Sequence, residues 1–304
     1  MWRVKKQINC TKEVQDIYSG RNISVAVLDT GIFFHSDFGN RILEFRDFIS
    51  NQNLPYDDSG HGTHVAGCIA GNGQLSDGKY CGIAPSCNLI LGKILDQNGE
   101  GSIRSLLEAI QWISGIRKQY NIRILNISVG FEKAVGDEKV KILMDALEDL
   151  YKQNILIVVA AGNKGPNPRS ISPLGMSNKI LTVGCHDLDY HKNGVTLCES
   201  YSGRGPSIFS LKKPDLVAPG TNIISTSSKC KRVGNKFINC YESKSGTSFA
   251  TPTVSGAAAL LLEKYPNLNV TDIKYRLCYS ANDLKEPWNK QGWGMLNIKK
   301  ALEI

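Results

Sequence analysis

Short apolar strands alternate with helical segments along this chain, and this alternation constrains the fold more than any other feature. Residues 23–28 (Ile-Ser-Val-Ala-Val-Leu) are mostly apolar on both faces, which is typical of a strand buried in a parallel sheet. Further strands are predicted over 88–95, 122–128, 155–160 and 180–183, and helices over 103–120, 139–152 and 247–265. The sequence therefore predicts an α/β fold with a doubly wound, mostly parallel sheet and helices on both faces.

The domain organisation follows from the absence of internal boundaries. No linker, composition shift or internal repeat divides the 304 residues. We predict one domain over residues 22–304, preceded by an arm over residues 1–21 that carries one short helical pattern at 14–18.

Composition and charge exclude several classes of partner. The chain is 41% apolar and 21% charged, as expected of a globular protein, and its net charge is +8. The lysines and arginines are scattered, and no nucleic-acid-binding motif is recognisable. No apolar stretch is long enough to span a bilayer. Neither nucleic acid nor a membrane is therefore an expected partner.

The cysteines suggest a cellular compartment. Their number is odd, their spacing is irregular and no Cys-x-x-Cys motif occurs, so we expect free thiols in a reducing environment. The first ten residues contain basic side chains but no apolar run of the kind found in signal peptides. These observations predict a cytoplasmic protein, unless a leading segment has been removed. The nine positions are Cys10, Cys68, Cys81, Cys87, Cys185, Cys198, Cys230, Cys240 and Cys278.

Polar residues at the ends of predicted elements suggest a hydrolytic site. Asp29 follows the first strand, where open α/β sheets place their sites. His64 lies near the start of a glycine-flanked helix. Ser248 lies at the start of an apolar helix, where free backbone N–H groups favour negative charge. Serine hydrolysis needs such a carboxylate, imidazole and hydroxyl, and the amide of Asn163 could donate a hydrogen bond to an oxyanion.

Four local motifs make this interpretation specific. They occur in the order 29–31 (Asp-Thr-Gly), 61–67 (His-Gly-Thr-His-Val-Ala-Gly), 160–163 (Ala-Ala-Gly-Asn) and 246–252 (Gly-Thr-Ser-Phe-Ala-Thr-Pro). With these motifs the chain resembles the subtilisin-like serine proteases, or subtilases, over roughly residues 20–303. The resemblance implies a subtilisin-like fold and a serine endopeptidase that acts on cytosolic proteins or matures a specific peptide.

The resemblance also implies roles for individual residues. Asp29 would orient the imidazole, His64 would be the general base and Ser248 the nucleophile. Asn163 and the backbone N–H of Ser248 would stabilise the oxyanion.

Substrate binding is likewise implied by the resemblance. The family pairs an extended peptide with a strand that corresponds to Ser128, Val129 and Gly130, by β-augmentation. A second segment, Ala160, Ala161 and Gly162, would form one wall of the primary specificity pocket. Lys164 resembles a position at the rim of that pocket, where a cation would disfavour substrates with Lys or Arg and tolerate acidic or polar ones. The alternative is a lysine that points into water.

Two departures from the family pattern bear on structure and cofactors. Thr253 stands where most relatives have a histidine of structural importance. The loop over 72–80 does not match the calcium-binding loop of the secreted enzymes, and Asp37 alone matches a calcium ligand. We expect no cofactor to be required for catalysis, and Asp37 is the candidate ligand if calcium binds.

Other functions remain open at this stage. The main alternative is a catalytically silent subtilase fold that binds peptides. A small-molecule esterase or amidase is another, although the Gly-x-Ser-x-Gly motif is absent around Ser248. A metal bound by His61, His64 and Cys68 is disfavoured because Gly62 stands where a metalloprotease helix has glutamate. The arm over 1–21 could act as an inhibitory extension that covers the cleft.

Overall fold

A seven-stranded parallel sheet forms the centre of the fold. The computed structural model describes residues 1–129, 138–188, 191–192, 195–206 and 211–303. The sheet order is β2-β3-β1-β4-β5-β6-β9, with every neighbouring pair parallel. In chain order the strands are β1 (Ser24–Asp29), β2 (Ile42–Asp47), β3 (Asn88–Lys93), β4 (Ile122–Ile127), β5 (Leu156–Ala160), β6 (Leu181–Cys185), β7 (His191–Lys192), β8 (Val195–Thr196), β9 (Leu216–Ala218), β10 (Ile223–Thr226), β11 (Lys231–Val233), β12 (Lys236–Ile238) and β13 (Tyr241–Lys244).

Helices cover both faces of this sheet. In chain order they are α1 (Trp2–Gln7), α2 (Lys12–Ile17), α3 (His61–Ala70), α4 (Ile103–Ile116), α5 (Glu138–Lys152), α6 (Thr247–Lys264), α7 (Val270–Tyr279), α8 (Trp288–Gln291) and α9 (Ile298–Glu303). Among the helices of the described part of the chain, none has the length and apolar character needed to cross a membrane.

The alternation of side chains along β1 explains the two layers. Val25 and Val27 belong to the buried cluster that includes α3 and α6. Ala26 and Leu28 point the opposite way, into the cluster formed with α4 and α5. Because both faces are covered, the strand is apolar throughout, as in other parallel sheets. The predicted doubly wound α/β fold is confirmed.

The order of the strands reverses at β1 and thereby positions the site. From β1 the sheet continues through β3 and β2 on one side, and through β4, β5, β6 and β9 on the other. Ligand sites in open parallel sheets lie beyond the carboxyl ends of the strands at such a reversal. Asp29 is the last residue of β1, so its side chain lies at this edge.

The N-terminal segment packs against the domain that follows it. Residues 1–21 contain two helices, α1 and α2, where the sequence predicted one short helical pattern. Val4, Ile8 and Cys10 are buried in the same cluster as α6. Glu263 accepts hydrogen bonds from the backbone N–H groups of Ser19 and Gly20, both at 2.6 Å. The segment is thus held by both apolar and polar contacts.

Four of the nine cysteines form two disulfides, so the expectation of free thiols is wrong for these four. One joins Cys185 at the end of β6 to Cys198, and the other joins Cys230 to Cys240 across the base of the β11–β12 hairpin. The sequence spacing did not reveal these pairs because partners separated by 13 and 10 residues become neighbours only when the intervening chain folds back. The unpaired cysteines are Cys10, Cys68, Cys81, Cys87 and Cys278.

Candidate active site

A carboxylate–imidazole pair lies where β1 ends and α3 begins. Asp29 is buried, and its Oδ1 lies 2.6 Å from Nδ1 of His61, the first residue of α3. The same oxygen accepts the backbone N–H of Thr30 at 2.8 Å. Because an ionised carboxylate can only accept, Nδ1 of His61 carries the hydrogen. Its Nε2 is then the nitrogen available to accept a proton.

The predicted pairing of Asp29 with His64 is wrong. His64 is fully buried, and its Nε2 lies 3.0 Å from the carbonyl oxygen of Ile223 and 3.2 Å from that of Glu242. Two acceptors around one nitrogen require that this nitrogen donates, which leaves Nδ1 as an acceptor beside the Cys68 thiol at 3.8 Å. His64 therefore faces β10 and β13, away from Asp29.

The helical repeat explains the misassignment. His64 follows His61 by three positions, so it lies nearly one turn further along α3 and reaches different elements. Of the two histidines, His61 is the one that contacts Asp29 at the edge of the sheet where β1 ends. The sequence offered a signal for this position, since His61 directly follows Gly60, the residue that precedes the helix in the left-handed conformation.

Opposing effects determine the pKa of His61. Burial lowers the pKa, whereas the charge of Asp29 and its hydrogen bond raise it, and the net result is a pKa above the ordinary value. Among the weaker influences, Lys244 lowers the pKa and Asp57 raises it. The site thus stabilises the imidazolium that forms when a histidine takes a proton.

A second carboxylate, Asp57, fixes the start of α3 to the end of β1. It accepts the backbone N–H groups of Gly60 at 2.7 Å and Thr63 at 2.8 Å, and the hydroxyl of Thr63 at 2.6 Å. It also accepts the Thr30 hydroxyl at 2.8 Å, and that hydroxyl in turn accepts the N–H of Gly62 at 2.9 Å. Sequence reasoning missed Asp57, although a carboxylate a few residues before a helix is a common capping group.

The N-terminus of α6 holds Ser248 between two other groups of the site. Ser248 is partly exposed and is the second residue of the helix. On one side, Oδ1 of Asn163 accepts both the N–H and the hydroxyl of Thr247 at 3.0 Å, so its amide NH₂ remains a donor. On the other side, the ring of Phe249 lies 5.1 Å from the ring of His61. Asn163 and His61 are thus each in contact with a residue next to Ser248 in the chain, Asn163 with Thr247 and His61 with Phe249.

A cavity of about 420 Å³ opens beside Ser248. Its lining residues come from three segments: Ala160 to Lys164, Arg169 to Pro173, and the start of α6. The predicted pocket residues Ala160, Gly162 and Lys164 line it. Ala161 is fully buried and is not among the described lining residues.

The predicted substrate-binding strand is described only in part. Ser128 is buried, and its hydroxyl accepts a hydrogen bond from the amide of Asn126 at 2.8 Å. Val129 is partly buried against the cluster formed with α4 and α5. Gly130 lies outside the described residues. Peptide binding along this segment stays a prediction.

The surroundings of Asp37 do not fit calcium. One carboxylate oxygen accepts the N–H of Gly73 at 3.2 Å and the hydroxyl of Tyr241 at 2.8 Å, and the other accepts the N–H of Leu75 at 3.2 Å. Calcium needs six to eight oxygen ligands, whereas the groups that surround this carboxylate are hydrogen-bond donors. Asp37 instead fastens the loop after α3 to β13.

Two other buried clusters contain residues of metal-binding type. His35 lies near Cys230 and Cys240, and Asp187 lies near Cys185 and Cys198, with ligand atoms within 4.8 Å in each cluster. In both clusters the two sulfurs are joined in a disulfide, so neither offers a thiolate.

Comparison with known proteins identifies the class. The family model described as "Subtilase family" matches residues 20–294. The chain is 37% identical to serine protease AprX of Bacillus subtilis over 303 residues, which cover 93% of this chain and 67% of that protein. It is 30% identical to subtilisin DY of Bacillus licheniformis over 289 residues, covering 94% and 93% of the two chains.

A solved structure agrees with these sequence relatives. The structure titled "S41 Psychrophilic Protease" superimposes with a TM-score of 0.81 at 28% identity and covers 97% of each chain. The fold and the site thus define a protein of the subtilisin-like serine endopeptidase class. The chain belongs to the subtilase family.

Proposed function

We propose that this protein hydrolyses peptide bonds with Ser248 as nucleophile, His61 as general base and Asp29 as the group that orients His61. The observation that carries the proposal is the 2.6 Å contact between Asp29 and His61, beside the helix start that bears Ser248. Asn163 is the proposed oxyanion donor, because its amide NH₂ is left available when its oxygen accepts from Thr247.

The chemistry assigns one task to each group. The Ser248 hydroxyl oxygen attacks the carbonyl carbon of the scissile bond while its proton passes to Nε2 of His61. The resulting oxyanion accepts hydrogen bonds from the Asn163 amide and the Ser248 backbone N–H. His61 then gives its proton to the leaving amine, and the carbon–nitrogen bond breaks. Water repeats the sequence on the acyl-enzyme and releases the new carboxyl terminus with a regenerated Ser248.

The substrate is a peptide or protein in an extended conformation. Its backbone would pair along Ser128, Val129 and Gly130, and the side chain before the scissile bond would enter the cavity beside Ser248. The two disulfides remove the free-cysteine argument for a cytoplasmic location. The proposal therefore specifies protein or peptide substrates, whether for general turnover or for maturation of one peptide, without a compartment.

Ser248→Ala tests the proposal directly. The wild-type protein should be labelled by a fluorophosphonate probe and should cleave casein or a peptide library, whereas Ser248→Ala should do neither. Loss of a triad serine lowers kcat by about 10⁶-fold. Ser243→Ala, which removes an exposed serine of β13, is the matched control and should behave as wild type.

Two results would contradict the proposal and favour another function. A wild-type protein that is neither labelled nor active would indicate the catalytically silent, peptide-binding alternative. Labelling with hydrolysis of small esters but no peptide cleavage would instead indicate an esterase.

A further inference from the structure

A lysine from the strand before the nucleophile reaches the start of α3. Lys244 is the last residue of β13 and lies four positions before Ser248 in the chain. Its Nζ donates to the carbonyl oxygen of Gly60 at 3.0 Å. Gly60 directly precedes His61, the proposed general base. The contact therefore joins the segment that carries the nucleophile to the residue next to the base.

The contact acts on the peptide group that links Gly60 to His61. The carbonyl oxygen of Gly60 also accepts the first hydrogen bond of the helix, from the N–H of His64, at 3.4 Å. Of the two bonds, the one from Lys244 lies within the preferred range of about 2.7–3.2 Å. On the other side of Gly60, Asp57 accepts its N–H at 2.7 Å. Because both polar groups of Gly60 are bonded, the direction in which His61 leaves the turn is fixed.

Glu242 holds the lysine side chain in place. Its carboxylate lies 3.2 Å from Nζ of Lys244, and the side chains of Lys244 and Glu242 are only 23% and 24% exposed. The two residues lie two positions apart on β13, so their side chains point to the same face of the strand. A side chain that is already bonded in the free enzyme loses little further rotamer entropy when a substrate arrives. The ammonium group is therefore in place before the reaction begins.

The charge of Lys244 also acts on the base. The titratable side chains on the elements around His61 are Asp29 of β1, Asp57 before α3, His64 within α3, and Glu242 and Lys244 of β13. Burial is the largest effect on the pKa of His61 and lowers it, whereas the Asp29 carboxylate raises it. Of the weaker charges, Lys244 lowers this pKa and Asp57 raises it. The first turn of α6, which contacts His61 through Phe249, carries no charged side chain.

We propose, on the basis of the proposed function, that Lys244 is a positioning residue, which joins β13 to the peptide group before His61 and so holds the base toward Ser248. Without the bond, the imidazole loses one of its supports, so kcat falls while substrate binding changes little. Without the charge, the imidazolium is opposed less, so His61 stays protonated to a higher pH. Sequence reasoning did not indicate Lys244, because the contact joins residues 184 positions apart.

Substitutions that separate shape from charge test this role. Lys244→Met keeps a side chain of similar length and removes both the bond and the charge. It should lower kcat about tenfold with KM within about twofold of wild type, because a misplacement of about 1 Å can cost roughly 10²-fold and other contacts still support His61. The acidic limb of its kcat/KM profile should move to higher pH. Lys244→Arg keeps a donor and a charge, so it should restore most of kcat and return the limb toward wild type.

A control variant and a stability measurement exclude general effects. Lys231→Met removes an exposed lysine of β11 and should leave kcat and the acidic limb as in wild type. Urea unfolding of each variant in a Ser248→Ala background verifies that it is folded. If Lys244→Met does not fold, Lys244→Gln replaces it, since the amide is polar but uncharged and should move the acidic limb in the same direction.

The outcomes separate this role from the proposed function. A folded Lys244→Met protein that keeps the wild-type kcat and acidic limb would overturn the positioning role. A change confined to KM would also overturn it, because Lys244 would then be a substrate contact. In both cases, a wild-type protein that is labelled by the fluorophosphonate probe and cleaves peptides retains the proposed function. A wild-type protein that is neither labelled nor active would lose both proposals.

Discussion

The two histidines of α3 lie three residues apart in contrasting surroundings. The side chain of His61 is 24% exposed, and its Nδ1 contacts the Asp29 carboxylate, which helps to raise its pKa. His64 is fully buried against two backbone carbonyls, and burial together with the charges of Lys244 and His61 lowers its pKa to about 3. A carbonyl dipole does not compensate the lost hydration of a charge as a carboxylate does. The charged partner, and not the helix or residue type, decides which histidine can hold a proton.

The aromatic ring of Phe249 lies next to both histidines of α3. Phe249 lies 5.1 Å from the ring of His61 and 4.7 Å from that of His64, measured between ring centroids. It directly follows Ser248, so α6 contacts the proposed base on the cleft side and the structural histidine on the core side. A substitution at either histidine therefore alters the surroundings of the nucleophile, and the rate and the stability have to be measured separately.

The largest expected difference between the two histidines is in rate. His61→Ala should lower kcat by about 10⁶-fold, because it removes the group that takes the proton of Ser248. His64→Gln should keep kcat within about tenfold of wild type, because an amide NH₂ can still donate to the carbonyls of Ile223 and Glu242. Single-turnover rates with one peptide substrate measure both variants.

Stability measurements keep this comparison interpretable. Both variants should be made again with Ser248→Ala, which prevents self-digestion, and their urea unfolding compared. His64→Gln should be the less stable of the two, whereas His61→Ala should unfold nearly as the parent does. A folded His64→Gln protein that is as inactive as His61→Ala would reverse the assignment of the two histidines.

The next largest effect concerns the carboxylate that distinguishes His61 from His64. Asp29→Asn should lower kcat by about 10⁴-fold, because the amide no longer favours the correct tautomer and does not stabilise the imidazolium. In wild type, activity should rise with pH through an apparent pKa above the ordinary histidine value, since only neutral His61 accepts a proton. Removal of the carboxylate lowers the pKa of His61, so the residual activity should extend to lower pH.

A pH–rate profile of kcat/KM measures this shift. His64→Gln is the control, and it should leave the acidic limb within a few tenths of a pH unit of wild type. An acidic limb that moves in His64→Gln and not in Asp29→Asn would show that the titrating group had been misidentified.

The sequence predicted the layers of the fold from particular segments. The apolar run over 155–160 is β5, and the helical pattern over 139–152 is α5. Each was predictable because the pattern of apolar residues within the segment identifies the element independently of the connecting loops. The short strands β10 and β13 were not predicted, because their pairing joins residues 15 to 21 positions apart across the β11–β12 hairpin and leaves little local pattern in the sequence. β10 and β13 also provide the two carbonyl oxygens that lie against His64, so the structural role of that histidine could not be predicted without this pairing.

Within the site, the residues at the ends of elements were the predictable ones. Asp29 and Ser248 lie where a strand ends and where a helix begins, and sequence patterns locate such ends. The choice between His61 and His64 depends on how α3 is rotated against β1, and Asp57 fixes that contact through side-chain hydrogen bonds. These long-range contacts leave no periodic signal in the chain.

The smallest expected effect is the acid sensitivity that His64 gives to the fold. Its folded-state pKa of about 3 lies below the ordinary value of 6.5 for the unfolded chain, so the unfolded chain binds a proton first as pH falls. The stability that this neutral histidine contributes is complete above pH 6.5 and is lost as pH falls from there toward 3. The loss approaches about 1.4 kcal/mol for each pH unit.

The stability contribution of His61 depends on pH in the opposite direction. Its raised pKa gives stability that is complete below the ordinary value and is lost as pH rises through the folded-state value. In a Ser248→Ala background, the free energy of unfolding should therefore fall more steeply between pH 6.5 and 5.0 with His64 present than in His64→Gln, and His61→Ala should keep the steep dependence. Urea titrations at four pH values resolve a difference of this size. Equal slopes with and without His64 would mean that the buried ring accepts a proton in the folded protein, and the contrast between the two histidines would then rest on their hydrogen-bond partners alone.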